Sequence, residues 1–140
     1  MDDKVRLILW PGIVAGIVIL VLGMVISYLF MIIPSVAADY NDAQVMRSLQ
    51  DPLMSLFFIY PFVLGIALSW VWSITKVLVE GPAWKRGTRF GLTYFVIATI
   101  PGMLISYSSF SLSILTIISW IVSGLISAIV AGCIFAKMNK

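Results

Sequence analysis

The chain has 140 residues, of which 61% are hydrophobic and 11% are charged, and its formal net charge at pH 7 is +3. Its mean hydropathy is +1.10, whereas a soluble domain of this length is about 45–50% apolar and about 25% charged. Because a small domain leaves much of its surface in water, this composition excludes a soluble globular protein. The sequence therefore predicts a single integral membrane domain.

Long uncharged runs predict four membrane-spanning helices. The runs 7–38 and 52–75 each suit one span, because a bilayer core of about 30 Å takes about 20 helical residues. A third run, 90–136, is too long for one span and is expected to turn back within "SYSSFSLS", residues 106–113. The predicted fold is all-α, a four-helix transmembrane bundle. Its spans are expected near residues 7–33, 53–76, 89–107 and 112–136.

The longest predicted segment outside the membrane is the outer loop, residues 34–52. Asp42 is a suitable N-cap for a short helix in this loop, and Pro52 is suited to end that helix or to begin the next. Such a helix would be amphipathic and would lie on the membrane surface. The residues expected on its apolar face are Val45, Met46 and Leu49.

The segment "EGPAWKRGTRF", residues 80–90, concentrates charge at the predicted inner loop, residues 77–88. Four spans place both termini on one side, and eight of the nine basic residues then fall on that side, with Arg47 on the other. Because basic residues in short loops are retained in the cytoplasm, we expect cytoplasmic termini and a plasma (inner) membrane location. The alternative interpretation of the cluster is a contact site for anionic lipid or an acidic partner. The candidate residues for that contact are Lys76, Lys85, Arg86 and Arg89.

Reactive groups are sparse in the predicted spans. The chain has no His, its six acidic residues lie in loops or at the N-terminus, and Cys133 is its single cysteine. General acid–base catalysis needs a titratable group beside the substrate, and one cysteine forms no internal disulfide or redox pair. The sequence therefore predicts no catalytic residue, no cofactor, no metal site and no nucleic-acid partner.

Small residues recur at four-residue spacing within the spans. Gly12 and Gly16 form a GxxxG pair in the first span, and Gly65 and Ser69 repeat the spacing in the second. Such rows let helices approach closely, which predicts packing inside the bundle. Packing between subunits is the alternative, because the fourth span carries two adjacent small faces. The fourth-span packing candidates are Ser123, Gly124, Ser127, Ala128 and Gly132.

Hydroxyl groups and prolines add two further expectations. Thr116 and Ser119, together with the serines that follow them, would line a polar path if the protein conducted a small neutral solute. Ser in a membrane helix also commonly bonds to its own backbone. Pro61 and Pro101 predict kinks or breaks in the second and third spans, and Pro11 is expected near the start of the first helix.

Two stretches of the C-terminal half, "WKRGTRFGLTYFVIATIPGMLISY" and "ISWIVSGLISAIVAGCIFA", resemble a widespread group of small prokaryotic four-span membrane proteins. The resemblance covers about the last sixty residues. It implies the same four-span topology, and because the group has no assigned activity it implies no mechanism. The residues that carry it are Arg86, Gly87, Phe90, Gly91, Pro101, Gly102, Trp120, Gly124 and Gly132.

The function that these patterns favour is that of a non-enzymatic membrane protein acting through helix–helix or lipid contacts. Its expected partners are membrane lipid and either further copies of itself or another membrane protein to which it is an accessory subunit. The alternative is an uncoupled channel or facilitator for a small neutral solute, because uncoupled flux needs no buried charge.

Overall fold

A computed structural model describes residues 3–139, and the regular structure in that range is entirely helical. Two 3-10 turns, Pro52–Met54 and Lys76–Leu78, flank the helix of the second span, and a π-helical segment, Phe95–Thr99, lies within the third. The α-helices are α1 (Asp3–Phe30), α2 (Pro34–Asn41), α3 (Ser55–Thr75), α4 (Ala83–Tyr94), α5 (Ile100–Ser109) and α6 (Ile114–Met138).

Four continuous helical stretches are long and apolar enough to cross a membrane, which confirms the predicted number of spans. The reversal between the third and fourth spans falls at residues 110–113, within the predicted turn. Ser113 begins α6 by accepting a hydrogen bond from the Thr116 backbone N–H. The four stretches are Asp3–Phe30, Pro52–Leu78, Ala83–Ser109 and Ile114–Met138.

The third span begins at Ala83, well before its predicted start at residue 89, so the inner loop predicted at residues 77–88 is much shorter. Gly81 makes the turn with φ +115°, a left-handed conformation that favours glycine. Pro82 is extended and stands at the N-cap of α4. The prediction placed the helix start at Arg89, the last cation of the cluster, but a helix entering a membrane carries Lys and Arg in its first turns when those side chains extend toward water.

The helix predicted after Asp42 is wrong, because residues 42–51 form turns and bends. Asp42 Oδ1 instead accepts a hydrogen bond from the Gln44 backbone N–H, two residues on, a local bond that competes with helix formation. The short helix between the first and second spans is α2, which ends just before Asp42. Pro34 is at its first turn, where its fixed φ suits a helix start.

Pro11 does not lie at the start of α1, as predicted, but inside the helix, which begins at Asp3. In the third span the helix continues through Pro101 without a break. Because Pro101 has no N–H to bond the Ile97 carbonyl, the hydrogen-bond ladder changes register there, and Ile97 lies within the π-helical segment. The kinks expected at Pro61 and Pro101 stay predictions.

The spans pack as two hairpins, each formed by two spans that are consecutive in the sequence. In the first hairpin α1 packs on α3, in the second α4 packs on α6, and α1 against α6 joins the two. The core lies where the hairpins meet, and Trp72 and Phe135, both 0% exposed, are its largest side chains. Smaller residues surround them, namely Ala15, Ile19, Leu68, Ala131 and Ala136.

Candidate functional site

The first hairpin is held by a crossing at which the backbones of α1 and α3 are in direct contact. A Cβ built at Gly12 would lie 2.7 Å from the Cα of Ile66, and one at Gly16 would lie 2.9 Å from the Cα of Phe62. A Cβ at Gly65 would meet the Gly12 carbonyl oxygen and lie 2.8 Å from the Gly16 nitrogen. Backbone atoms cannot move aside as a side chain can, so the crossing requires glycine at all three positions.

The second hairpin has a crossing of the same kind. A Cβ at Gly87 would lie 2.6 Å from the Cα of Cys133, and one at Gly91 would lie 2.8 Å from the Cα of Ile129. A Cβ at Gly132 would meet the Gly87 carbonyl oxygen and lie 3.2 Å from the Gly91 nitrogen. Helices α4 and α6 are therefore also packed backbone to backbone.

The two crossings correspond position by position. In each hairpin the glycine of the second helix faces two glycines, four residues apart, of the first helix. The residue that follows this glycine, Ile66 or Cys133, contacts the first glycine of the pair. The residue three positions before it, Phe62 or Ile129, contacts the second. The equivalent residues are Gly12 and Gly87, Gly16 and Gly91, and Gly65 and Gly132. The same glycine crossing thus occurs twice, once in each hairpin.

Sequence reasoning missed half of the second crossing. It assigned Gly12, Gly16 and Gly65 to packing in the first hairpin but gave no packing role to Gly87 and Gly91. The signal was present, because Gly87 and Gly91 have the same four-residue spacing as Gly12 and Gly16. The predicted inner loop, residues 77–88, contained Gly87, so the helical spacing of Gly87 and Gly91 crossed a predicted boundary.

The remaining predicted packing residues also lie largely inside the chain. Ser69, Ser127 and Ala128 are buried, and Ser123 is half-buried. A Cβ at Gly124 would lie 2.7 Å from Thr99 Cγ2, so Gly124 accommodates a side chain of the third span. Packing between subunits therefore receives no support from these small-residue faces.

Two hydroxyls of the candidate polar path along α6 are engaged in hydrogen bonds to protein atoms. Ser119 Oγ donates to the Thr116 carbonyl at 2.7 Å, and Thr116 Oγ1 donates to Asp39 Oδ2 at 2.6 Å. Farther along the bundle Trp72 and Phe135 fill the space between the hairpins. Among the described residues, the Thr116 and Ser119 hydroxyls thus stabilise the fold through these bonds.

A cluster of hydrogen bonds joins the spans at the end of the bundle that holds Asp3 and Asn139, the first and last residues described. Trp72 Nε1 donates to the Asn139 carbonyl at 3.0 Å, and Lys76 Nζ donates to Asn139 Oδ1 at 2.7 Å. Asn139 Nδ2 donates to the Leu7 carbonyl at 3.3 Å. Arg86 donates from Nη2 to the Lys76 carbonyl at 3.2 Å, and its guanidinium carbon lies 5.3 Å from the Trp72 ring centroid. Residues of the first three spans thus meet Asn139, which directly follows the fourth span.

Pro11 explains one of these bonds. An α-helix normally pairs the Leu7 carbonyl with the N–H of residue 11, which proline lacks. The carbonyl is therefore free to accept from Asn139, and the helix keeps its polar groups satisfied within the membrane.

The four cations proposed as a contact site separate into two pairs. Lys76 and Arg86 belong to the cluster just described, whereas Lys85 and Arg89 are exposed. Lys85 and Arg89 are four residues apart in α4 and so share one face of it. Gly87 and Gly91, which contact α6, lie on the opposite face.

At the other end of the bundle α2 is fastened to the start of α6. Asp39 Oδ2 accepts from the Ser113 backbone N–H at 2.9 Å and from Thr116 Oγ1 at 2.6 Å. The Trp120 indole N–H donates to the Tyr40 hydroxyl oxygen at 2.8 Å. The hydrogen bond from Thr116, followed by that from Ser113, lowers the pKa of Asp39 below its usual value. The ionised carboxylate therefore stabilises this attachment.

Replacing Asp39 by Asn is expected to lower the free energy of unfolding at pH 7 by about 1 kcal/mol, because a charge-assisted bond is lost from a partly exposed site. The pKa of Asp39 is lowered on folding, so its contribution is present above the unfolded value of about 3.9 and is lost as the pH falls through the folded value. Thermal unfolding in detergent micelles, measured from pH 7 down to pH 3, tests this.

The control for that experiment is Asp42→Asn, because Asp42 makes only a local bond to Gln44, which an Asn side chain reproduces. Its unfolding midpoint is expected to match that of the unmodified protein at every pH. A stability difference between Asp39→Asn and the unmodified protein that stays constant down to pH 3 would contradict the role given to the carboxylate.

Comparisons with known proteins give no identity to the chain. No family model matches it, and neither the curated proteins nor the solved structures contain a match. Among residues 3–139, no three His, Cys, Asp or Glu side chains are grouped so that they could hold a metal ion. The resemblance to small prokaryotic four-span proteins stays a prediction.

Proposed function

We propose that this protein is a non-enzymatic integral membrane protein that acts through helix–helix or lipid contacts, as a homo-oligomer or as an accessory subunit of another membrane protein. The observation that carries the proposal is the uneven packing of the spans. Near the glycine crossings the helices pack in backbone contact. In contrast, every residue from 55 to 60 is exposed, and α5 has no buried residue. These parts of the second and third spans leave apolar surface for an external contact.

The uncovered part of α3 is rich in large apolar side chains. Phe57 and Phe58 stack edge to face at a centroid distance of 5.4 Å, and Ile59 and Tyr60 are exposed beside them. In a membrane, helices associate through close van der Waals packing, and aromatic side chains supply large contact areas. This surface is therefore well suited to a helix of a partner or of a second copy.

The interior supports the contact hypothesis over the solute channel. The space between the hairpins is filled by Trp72, Phe135 and small residues, and the hydroxyls of Thr116 and Ser119 are engaged in bonds to protein atoms. The channel alternative therefore has no specific observation in its favour. The predicted membrane and orientation, plasma (inner) membrane with cytoplasmic termini, belong to this proposal and are supported by the grouping of the basic residues.

Native mass spectrometry of the protein, released gently from its own membrane, tests the proposal. We expect a complex of defined stoichiometry, either an oligomer or a heteromer. The double variant Ile59→Ala/Ile105→Ala, which trims the uncovered surface, is expected to weaken its association by about tenfold or more.

A matched control is Ile17→Ala/Ile74→Ala, because these isoleucines are also exposed but lie elsewhere on α1 and α3. This variant is expected to assemble normally. If the unmodified protein is a bare monomer, or if both double variants dissociate equally, the assembly part of the proposal is wrong.

A further inference from the structure

One face of the third span combines two exposed cations with an apolar groove. Lys85 and Arg89 stand one helical turn apart, and Leu92 and Val96 continue the same line at the next turns. Leu92, Val96 and their neighbours Thr93 and Ile97 are exposed and line a shallow, open groove of ≈ 390 Å³ on the surface of this one helix. Arg89 thus lies beside the groove, about 9 Å from the start of α4.

Within residues 3–139, no carboxylate neutralises the charge of this face. Among the described residues the one ion pair is that between Arg47 and Asp51, in the outer loop, so neither Lys85 nor Arg89 is paired with a carboxylate there. Arg86, on another side of α4, is engaged with Trp72 and the Lys76 carbonyl. Cations needed for the fold and cations left exposed are thus on different faces of one helix.

The groove itself is apolar in its chemistry. The Thr93 hydroxyl donates to the Arg89 carbonyl at 2.9 Å, so its polar group is satisfied by the backbone and its methyl group remains for apolar contact. The side chains of Leu92, Val96 and Ile97 supply the rest of the lining. An acyl chain fits this environment, whereas a polar peptide would leave its backbone groups without hydrogen-bond partners.

The two equivalent glycine crossings allow the charges on α4 to be compared with the matching positions on α1. By the correspondence of Gly12 with Gly87, the positions equivalent to Lys85 and Arg89 are Trp10 and Val14. The first hairpin therefore has the same helix crossing without the cations. The two charges are not required by the crossing itself, which makes them available for a ligand.

We propose that this face is a binding site for one anionic phospholipid, with its phosphate-bearing headgroup at Lys85 and Arg89 and an acyl chain in the groove formed by Leu92, Thr93, Val96 and Ile97. Lys and Arg attract anionic lipid at a membrane surface, and the long side chain of Arg89 can direct its charge toward the headgroup while its stem lies against apolar surface. The site deepens the lipid part of the proposed function and rests on it. It does not depend on the protein being an oligomer.

The charge requirement is tested by native mass spectrometry of the full chain in detergent, titrated with palmitoyl-oleoyl phosphatidylglycerol or with the matching phosphatidylcholine. The unmodified protein is expected to retain phosphatidylglycerol preferentially. In Lys85→Gln/Arg89→Gln the affinity for phosphatidylglycerol is expected to fall by about 25-fold, since each cation strengthens such attachment about fivefold. Binding of phosphatidylcholine is expected to change little.

The matched control is Lys4→Gln/Lys137→Gln, which removes the same charge from exposed positions near the two termini. It is expected to bind phosphatidylglycerol as the unmodified protein does. An equal loss of phosphatidylglycerol affinity in both double variants would overturn the site, because binding would then depend on net charge alone. Unchanged affinity in Lys85→Gln/Arg89→Gln would also overturn it, because neither cation would then contribute to binding.

The position of the acyl chain is tested with phosphatidylglycerol that carries a photoreactive diazirine in one chain. Crosslinks are expected to concentrate at residues 92–97 and to disappear in Lys85→Gln/Arg89→Gln but not in the control. Crosslinks spread evenly over the four spans would refute the groove. A stable oligomer that shows no phosphatidylglycerol preference would overturn this site and leave the proposed function standing.

Discussion

Replacing Gly132 by Leu is expected to separate α4 from α6 and to lower the free energy of unfolding by roughly 3 kcal/mol. The new side chain would have to occupy the place of the Gly87 carbonyl and the backbone at Gly91, which no rotamer avoids. Leu has a higher helix propensity than Gly, so a loss of stability would result from disruption of the crossing and not from weakening of α6 itself. Unfolding in mixed detergent–SDS micelles, followed by tryptophan fluorescence, measures it.

Two glycines of the same chain serve as controls for this experiment. Nothing lies within 4 Å of a Cβ built at Gly23 or at Gly102, so Gly23→Leu and Gly102→Leu are expected to leave stability unchanged or slightly raised. Gly65→Leu is expected to behave as Gly132→Leu does, because Gly65 has the equivalent place in the first hairpin. A Gly132→Leu variant as stable as the two controls would disprove the backbone contact.

Trp72→Ala is expected to lower the free energy of unfolding by about 3–5 kcal/mol, the range typical of a large aromatic side chain removed from a core. The Trp72 ring is 0% exposed and stacks edge to face on Phe90 at a centroid distance of 5.3 Å. Its indole N–H bonds the Asn139 carbonyl, and its ring lies under the Arg86 guanidinium. The substitution would therefore open a cavity, leave the Asn139 carbonyl without its indole donor, and remove the ring beneath the Arg86 guanidinium.

Trp70→Ala is the matched control for Trp72→Ala, because Trp70 lies one half-turn away on the same helix and is 55% exposed. In the same micelle unfolding assay Trp70→Ala is expected to change stability by less than about 1 kcal/mol. Because each substitution removes a tryptophan, the unfolding of both variants is followed by circular dichroism instead of fluorescence. Equal destabilisation by the two substitutions would show that Trp72 is not the centre of the core.

The spans were predictable because their signal is a physical limit on length and polarity. Any uncharged run of about 20 apolar residues can cross the bilayer as a helix, and the turn within residues 106–113 follows from the length of the third run. The crossing of Gly12 and Gly16 with the second span was also accessible, since small residues four apart form a surface that a helix can approach closely.

Other features depend on contacts that a linear pattern does not show. The bond from Asn139 to the Leu7 carbonyl joins opposite ends of the chain, and Asp39 bonds to Thr116, 77 residues away in the sequence. The outer helix was predicted from Asp42, a residue whose side chain has several local bonding choices. The start of α4 was placed too late because charge was taken to mark the membrane boundary, although Arg86 bonds within the protein.

The order of the two hairpins along the chain has a consequence for how the protein assembles during synthesis. Each glycine crossing joins two spans that are consecutive in the sequence, so the ribosome delivers both partners of the first crossing before it begins the third span. The first hairpin can therefore assemble in the membrane while the second is still being translated. Contact between α1 and α6 has to wait until the last span is inserted, and it completes the molecule as the docking of two finished halves.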